Sequence, residues 1–313
     1  MLAGAGPAFC LTPDVRVGIL QFGTVQWVTD VVHRHALDTS HGITLTTATL
    51  ADTGAGRVAL MAKAVDIVTS DWMFVASQRA AGTNLCFAPF SSSTGGIMVR
   101  NASPIRSLSD LARCRLGVAG GPADKSWLIV RAAAKATTGF DLTETANIVY
   151  GAPPLLNAKL MQNELDAALT YWNYAARLET TACREVASVD DCARDLGLPA
   201  GMCLLGFVFH EDWANRNSDA INGFLAAATA AEDLLAGSEA EWQQVRPVMN
   251  APDDALFGAF RQRFLSGVAH PSAEQQDAAA RQLFTVLLRT GGKLGTDGVE
   301  QLPAGIFWPA PHG

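Results

Sequence analysis

The succession of strands and helices is the feature that most constrains this chain. Through its first two-thirds, short β-branched runs alternate with helical patterns, and the alternation starts again near residue 104 without a long linker. Such alternation argues for α/β units built on mainly parallel sheets. Val15-Arg16-Val17-Gly18-Ile19-Leu20 reads as the first strand, and 24–37 as a helix with Val28, Val31 and Val32 on one face. Strands are expected at 43–50, 65–68, 84–89 and 96–100, with a short helix at 54–64. The second set holds strands at 115–119, 146–150 and 167–170, and helices at 125–137, 154–163 and 171–179. An apolar strand follows at 202–209. Beyond it the chain reads as helical at 219–235, 239–249, 253–264 and 273–288, with an irregular tail at 302–313. Two similar α/β lobes fit this pattern better than one extended sheet.

At 313 residues, 49% hydrophobic and 17% charged, the chain is long enough to bury two cores. The formal net charge is −7 and no run of Lys or Arg occurs, which argues against a nucleic-acid partner. No segment approaches the roughly 18 uninterrupted apolar residues of a membrane span. Met1 to Cys10 is small and apolar, without a positive start. It fits either a frayed terminus or the tail of a truncated signal peptide. The six cysteines (10, 86, 114, 183, 192, 203) include no Cys-x-x-Cys and none at metal-ligand spacing with a histidine, so no metal is expected. Cys183 and Cys192 flank a short polar stretch, compatible with a bridge in an oxidising compartment or with buried free thiols.

Several short runs carry a resemblance. They are Gln21-Phe22-Gly23-Thr24 at a strand end, and Ala64-Val65-Asp66-Ile67-Val68 followed by Ser70-Asp71-Trp72. To these add Ser103-Pro104-Ile105-Arg106-Ser107-Leu108-Ser109-Asp110-Leu111 and Leu160 to Ala168. On these residues the chain resembles the type II periplasmic solute-binding proteins of ABC importers, in the nitrate, sulfonate and taurine branch with its thiamine-pyrimidine-synthesis-like relatives. Cys114-Arg115 departs from the Gly-Lys more usual there. The resemblance implies a two-lobed α/β fold with the ligand cleft between the lobes. Lobe one would be 14–100 plus 204–313, and lobe two 101–203. It also implies a small organic ligand taken up by lobe closure, a membrane permease as partner, a periplasmic location, a monomer, and neither a cofactor nor catalysis.

Ligands of open α/β sheets bind beyond the carboxyl ends of the strands. All three tyrosines of the chain, Tyr150, Tyr171 and Tyr174, fall just after expected strands of the second set. Trp172 sits among them, Trp127 opens the helix after the glycine loop, and Trp27 and Trp72 hold equivalent places in the first set. Such rings stack on flat ligands, although an aromatic at a strand end also caps a core. Gly120 and Gly121 precede a helix start, where free N–H groups favour an anion or a carbonyl oxygen. Asp124, Lys125 and Ser126 lie in reach there, and Asp124 equally suits an N-cap. Asp71 stands in the same relation to the helix opened by Trp72. Ser92, Ser93 and Thr94 offer hydroxyl donors or a polar turn. Phe22 and Thr24, from the run that ends the first strand, complete the candidate set. These loops contain no arginine, so a bare inorganic anion fits less well than a planar or heteroaromatic molecule with an acidic or amide group.

Gly54-Ala55-Gly56 lacks the strand context and third glycine of a dinucleotide loop. There is no P-loop, Gly-x-Ser-x-Gly elbow or His-Glu-x-x-His helix, and the histidines fall outside the expected ligand loops. A non-transporting accessory or sensor protein, and an enzyme of the pyrimidine-synthesis or dehydratase type, stay open as alternatives.

Overall fold

The computed structural model describes residues 12–21 and 23–309. Its strands are β1 (Asp14–Leu20), β2 (Thr44–Leu50), β3 (Ile67–Asp71), β4 (Leu85–Ser91) and β5 (Gly96–Arg100). They continue with β6 (Arg115–Ala119), β7 (Asn147–Gly151), β8 (Ala167–Thr170), β9 (Cys183–Ser188) and β10 (Leu205–His210). Two five-stranded sheets result, ordered β2-β1-β3-β10-β4 and β7-β6-β8-β5-β9. In the first, β1 pairs in parallel with β2 and β3. In the second, β6 pairs in parallel with β7 and β8, while β5 runs antiparallel to β8 and β9.

The sequence groups 96–100 with the first lobe. Its hydrogen bonds place β5 in the second sheet instead, so the chain changes sheets earlier, across Ser92 to Gly95. Strand β9 and the helix Val189–Asp195 were not anticipated. Cys-Arg-Glu-Val-Ala-Ser mixes charge into an edge strand that is only half-buried, which removes the apolar alternation that marks a strand. By compactness the chain divides into two units, with the breaks inside β3 and β10. The first holds the described residues up to Thr69 with Phe209–Val248. The second holds Ser70–Val208 and the described residues from Met249 onward.

The central strand of each parallel set starts on the same device. Arg16, on β1, donates through its backbone N–H and Nε to Asp66 Oδ2, both at 2.9 Å, and through its guanidinium to Asp66 Oδ1 and to Lys63 O. Arg115, on β6, repeats this with Asp166, at 2.8 Å from its N–H and 3.1 Å from Nε, and with Asn163 O. Lys63 and Asn163 both take the left-handed backbone, at φ 56° and 63°. The bidentate fork sets the register between the central strand and the turn that feeds its parallel neighbour.

Helices follow their apolar faces. Val25–Arg34 buries Trp27, Val28, Val31 and Val32. The helix expected to run to residue 37 breaks at Ala36, where φ is 50°, before a further turn at Leu37–Ser40. In the first unit Trp27 meets Trp242 edge-to-face at 6.2 Å. In the second, Met98, Leu156, Leu160, Leu165, Ala168 and Leu178 form one buried cluster, against which Tyr171 packs.

Candidate functional site

Because β6, β7 and β8 are parallel, their carboxyl ends gather at one end of the second sheet. The chain leaves β6 through Gly120 and Gly121, at φ 84° and 128°. Only glycine takes these angles without strain. A Cβ on Gly120 would lie 2.6 Å from both Asp124 Oδ2 and the Tyr171 hydroxyl oxygen. Asp124 caps the helix Lys125–Thr138, its Oδ1 accepting from the Trp127 N–H at 3.1 Å. Its other oxygen, Oδ2, accepts the Tyr171 hydroxyl proton at 3.2 Å. Tyr171 itself directly follows β8. Asp71, at the end of β3, caps the helix Trp72–Ala80 in the same way, through the Phe74 N–H at 3.0 Å.

Burial pushes the Asp124 carboxyl up to about 6, against the pull of the Trp127 N–H, the Tyr171 hydroxyl and Lys125; the charge of Asp71 pushes it further up. Burial likewise raises Tyr171 far above the usual phenol range, with the Asp124 charge second. The result is a largely dehydrated acid–phenol pair with a second carboxylate in electrostatic range. Thr170, immediately before Tyr171, is 1% exposed and its hydroxyl has no hydrogen-bond partner among the described residues.

The other sequence candidates divide. Tyr150 lies beside this pair of loops, on the edge strand β7 in register with Val118, and is 41% exposed. Tyr174 is half-buried, and its carbonyl accepts from Asn157 Nδ2. Ser126 and Lys125 are half-buried in the first helical turn after Asp124, but Lys125 Nζ is engaged by Asp297 at 3.0 Å. Trp172 turns its ring onto Phe260, 6.3 Å away. Trp127 is wholly buried with Arg131 6.0 Å from its ring centre, and Trp72 is buried against Phe307. With Trp27, these two are core rings, because an opposing element covers the face that the sequence leaves open. Thr24 is half-buried ahead of the first helix, and Phe22 lies outside the described residues.

The hydroxyls of Ser92, Ser93 and Thr94 are spent inside the protein. They donate to Gly267 O, Arg263 O and Asp190 Oδ1 respectively. This crossover is therefore tied down rather than offered to a ligand. Arg263, which sequence reasoning missed, pairs with Glu179 and Glu185 and so pins the helix Asp254–Ser266 to β9 and to the helix Trp172–Glu179. No local pattern announces it.

At the opposite end of the second sheet lies a cavity of about 560 Å³ that includes Arg100, Ser103, Asp110, Cys114, Asn163 and Asp166 in its walls. Its carboxylates are already committed, Asp110 to the N–H groups of Arg106 and Ser107 and Asp166 to Arg115. Cys183 and Cys192 are not bridged; both are buried thiols, and burial raises Cys192 to about 12. Among the described residues no group of three His, Cys, Asp or Glu side chains is placed to hold a metal. No described helix is long and apolar enough to cross a membrane.

A family model described as NMT1/THI5 like matches residues 39–238, well over half of the chain. This chain belongs to the NMT1/THI5-like family. Compared with curated proteins, no sequence matches it significantly. Among solved structures, the NMT1/THI5-like chain is similar to the periplasmic aliphatic sulphonate binding protein SsuA of Escherichia coli. The two share 18% identity at a TM-score of 0.72, over 96% of this chain and 94% of that one. The alkanesulfonate-binding protein SsuA of Xanthomonas axonopodis pv. citri, bound to MOPS, is similar at 17% identity and a TM-score of 0.68, over 98% and 100%. So is the desulfurization enzyme DSZB, at 14% identity and a TM-score of 0.63, over 94% and 95%. These are likenesses of fold. They establish that the NMT1/THI5-like chain has the two-sheet α/β architecture of the type II binding proteins.

Proposed function

We propose that this chain is the solute-binding component of an ABC-type importer. It takes a small planar or aromatic organic molecule at the strand-end loops around Gly120, Asp124, Tyr150 and Tyr171, and does no chemistry on it. The observation that carries the reading is the end-to-end fold correspondence with SsuA, which spans 96% of this chain and 94% of that protein. A fold alone does not assign a function. The strand-end loops supply the second support, for they combine a glycine turn, tyrosine rings and a few polar groups as small-molecule sites do. On this reading the chain works in the periplasm and delivers its cargo to a membrane permease.

One observation favours a second reading. DSZB has the same fold, and the Asp124 carboxyl, lifted to about 6, suits a proton acceptor near neutral pH. On that reading a bound solute would be consumed.

The test is thermal unfolding of the full chain against pyrimidines, flavins, aromatic acids, aromatic amines and sulfonates. A solute that binds only the folded state at a hundred times its dissociation constant adds about 2.7 kcal/mol, seen as a rise of several degrees. A rise with at least one solute, recovered chemically unchanged, supports the binding reading. A solute recovered as product would establish the enzyme, and silence across the panel would remove both.

A further inference from the structure

We propose that Asp124 and Tyr171 are the specificity-determining pair of this solute site. They select a solute that presents a cationic nitrogen, a protonated amine or amidinium, over one that presents a sulfonate. The inference rests on the binding reading given above and deepens it.

Anion recognition at such loops draws on free N–H groups at a helix start and on nearby cationic or hydroxyl donors. Here several of those donors are already used. The start of the helix Lys125–Thr138 is filled by the protein's own carboxylate, with Asp124 Oδ1 on the Trp127 N–H at 3.1 Å. The helix after β3 is filled likewise, with Asp71 Oδ1 on the Phe74 N–H at 3.0 Å. Lys125 is held by Asp297 at 3.0 Å and by Ala123 O at 3.3 Å. Ser92, Ser93 and Thr94 donate into the protein.

What the pair presents is acceptor capacity. The Tyr171 proton points to Asp124 Oδ2 at 3.2 Å, so the phenol oxygen has only lone pairs to offer a solute. Both oxygens close onto Gly120, where a Cβ would stand 2.6 Å from each, and the open side of the loop is at the next residue, Gly121, where a Cβ would meet nothing within 4 Å. An independent observation marks the same strand end. Among the described residues the buried Thr170 hydroxyl has no partner, a cost that native proteins accept where a ligand or water completes the bond. Burial and the charge of Asp71 both disfavour a further negative charge beside Asp124. A sulfonate would meet that repulsion with the neighbouring Lys125 already held by Asp297, whereas an ammonium or amidinium would relieve it. The acidic group that the sequence suggests for the ligand is disfavoured by the same geometry.

The test is calorimetric titration of the full chain with matched aromatic probes: benzylamine and benzamidine, benzenesulfonate, and neutral benzamide. The wider panel supplies larger amines, sulfonates and neutral solutes. The cationic class is expected to bind at least tenfold more tightly than the matched sulfonate. Asp124→Asn should erase that preference at least tenfold while the ligand-free protein keeps or raises its thermal midpoint. Tyr171→Phe should weaken the cationic class with the fold intact. Equal or tighter sulfonate binding, or an Asp124→Asn variant with an unchanged preference, would overturn the assignment. Binding confined to neutral solutes would overturn it too, yet leave the solute site standing. Should no solute of any class bind, the site reading itself falls and this inference with it.

Discussion

The Tyr171 hydroxyl donates to Asp124 Oδ2 at 3.2 Å, joining the turn after β8 to the loop after β6. A hydrogen bond to a buried, chargeable acceptor contributes about 1–3 kcal/mol. Tyr171→Phe keeps the ring and deletes the bond. It is expected to lower the thermal midpoint of the ligand-free protein by about 2–6 °C at pH 8, where Asp124 is ionised. The loss should shrink at pH 5, where the acid is protonated. Differential scanning calorimetry at the two pH values measures both.

Asp124 also sets a pH dependence. Its folded value, about 6, stands above the ordinary aspartate value of 3.8, so the folded state holds the proton more tightly. Stability is therefore greatest below about 4, falls as pH rises, and bears the full penalty above about 6. The penalty is on the order of 3 kcal/mol if the whole shift appears in folding. Asparagine can cap the helix and accept from Tyr171 without a charge. Asp124→Asn should flatten this part of the stability profile and leave the neutral-pH protein as stable as the parent or more so. Urea unfolding between pH 4 and 8 checks it, and a steeper profile in the variant would refute it.

A second buried acid acts in the same direction elsewhere. Glu232 is 3% exposed on the helix Ser218–Gly237, and burial, with Asp233 adding, pushes it up to about 8. The sign is again a loss of stability as pH rises, here between about 4.5 and 8. Glu232→Gln should gain on the order of 2 kcal/mol at pH 8 and little at pH 4.5. The same urea series distinguishes its window from that of Asp124.

Arg263 should behave in the opposite sense. It neutralises Glu185, whose carboxyl burial already raises, and Glu179. Arg263→Met keeps the stem and leaves Glu185 without its cation. Removing one partner of a fully buried pair costs about 3–5 kcal/mol, and partial exposure reduces that to about 2 here. A fall in the urea midpoint with an unchanged slope is the expected result.

Legibility in the sequence followed the reach of each interaction. Strands β1, β6 and β8 were readable because their apolar patterns are local, and Asp71 and Asp124 were readable as caps because a cap acts within one turn. The role of each aromatic was not readable. Whether a strand-end ring faces solvent or core depends on an element far along the chain: Phe260 covers Trp172 and Phe307 covers Trp72. The same holds for Ser92, Ser93 and Thr94, whose acceptors Gly267, Arg263 and Asp190 come from distant segments. Strand β5 was assigned to the wrong sheet for a related reason, since a short apolar run shows that it is a strand but not which neighbour it pairs with. The doubled Arg–Asp fork, Arg16 with Asp66 and Arg115 with Asp166, lay in plain sight but gained meaning only with its partners in place.

On the proposed function a solute binds at the strand-end loops of the second sheet. Amide hydrogen exchange of the full chain, with and without the tightest-binding solute of the panel, addresses it most directly, because bound loops open less often. Slowed exchange is predicted across Gly120–Trp127 and Tyr171–Tyr174, with no change around Arg100–Ile105, Cys114 and Asn163. Protection confined to that opposite end, at the 560 Å³ cavity, would contradict the claim.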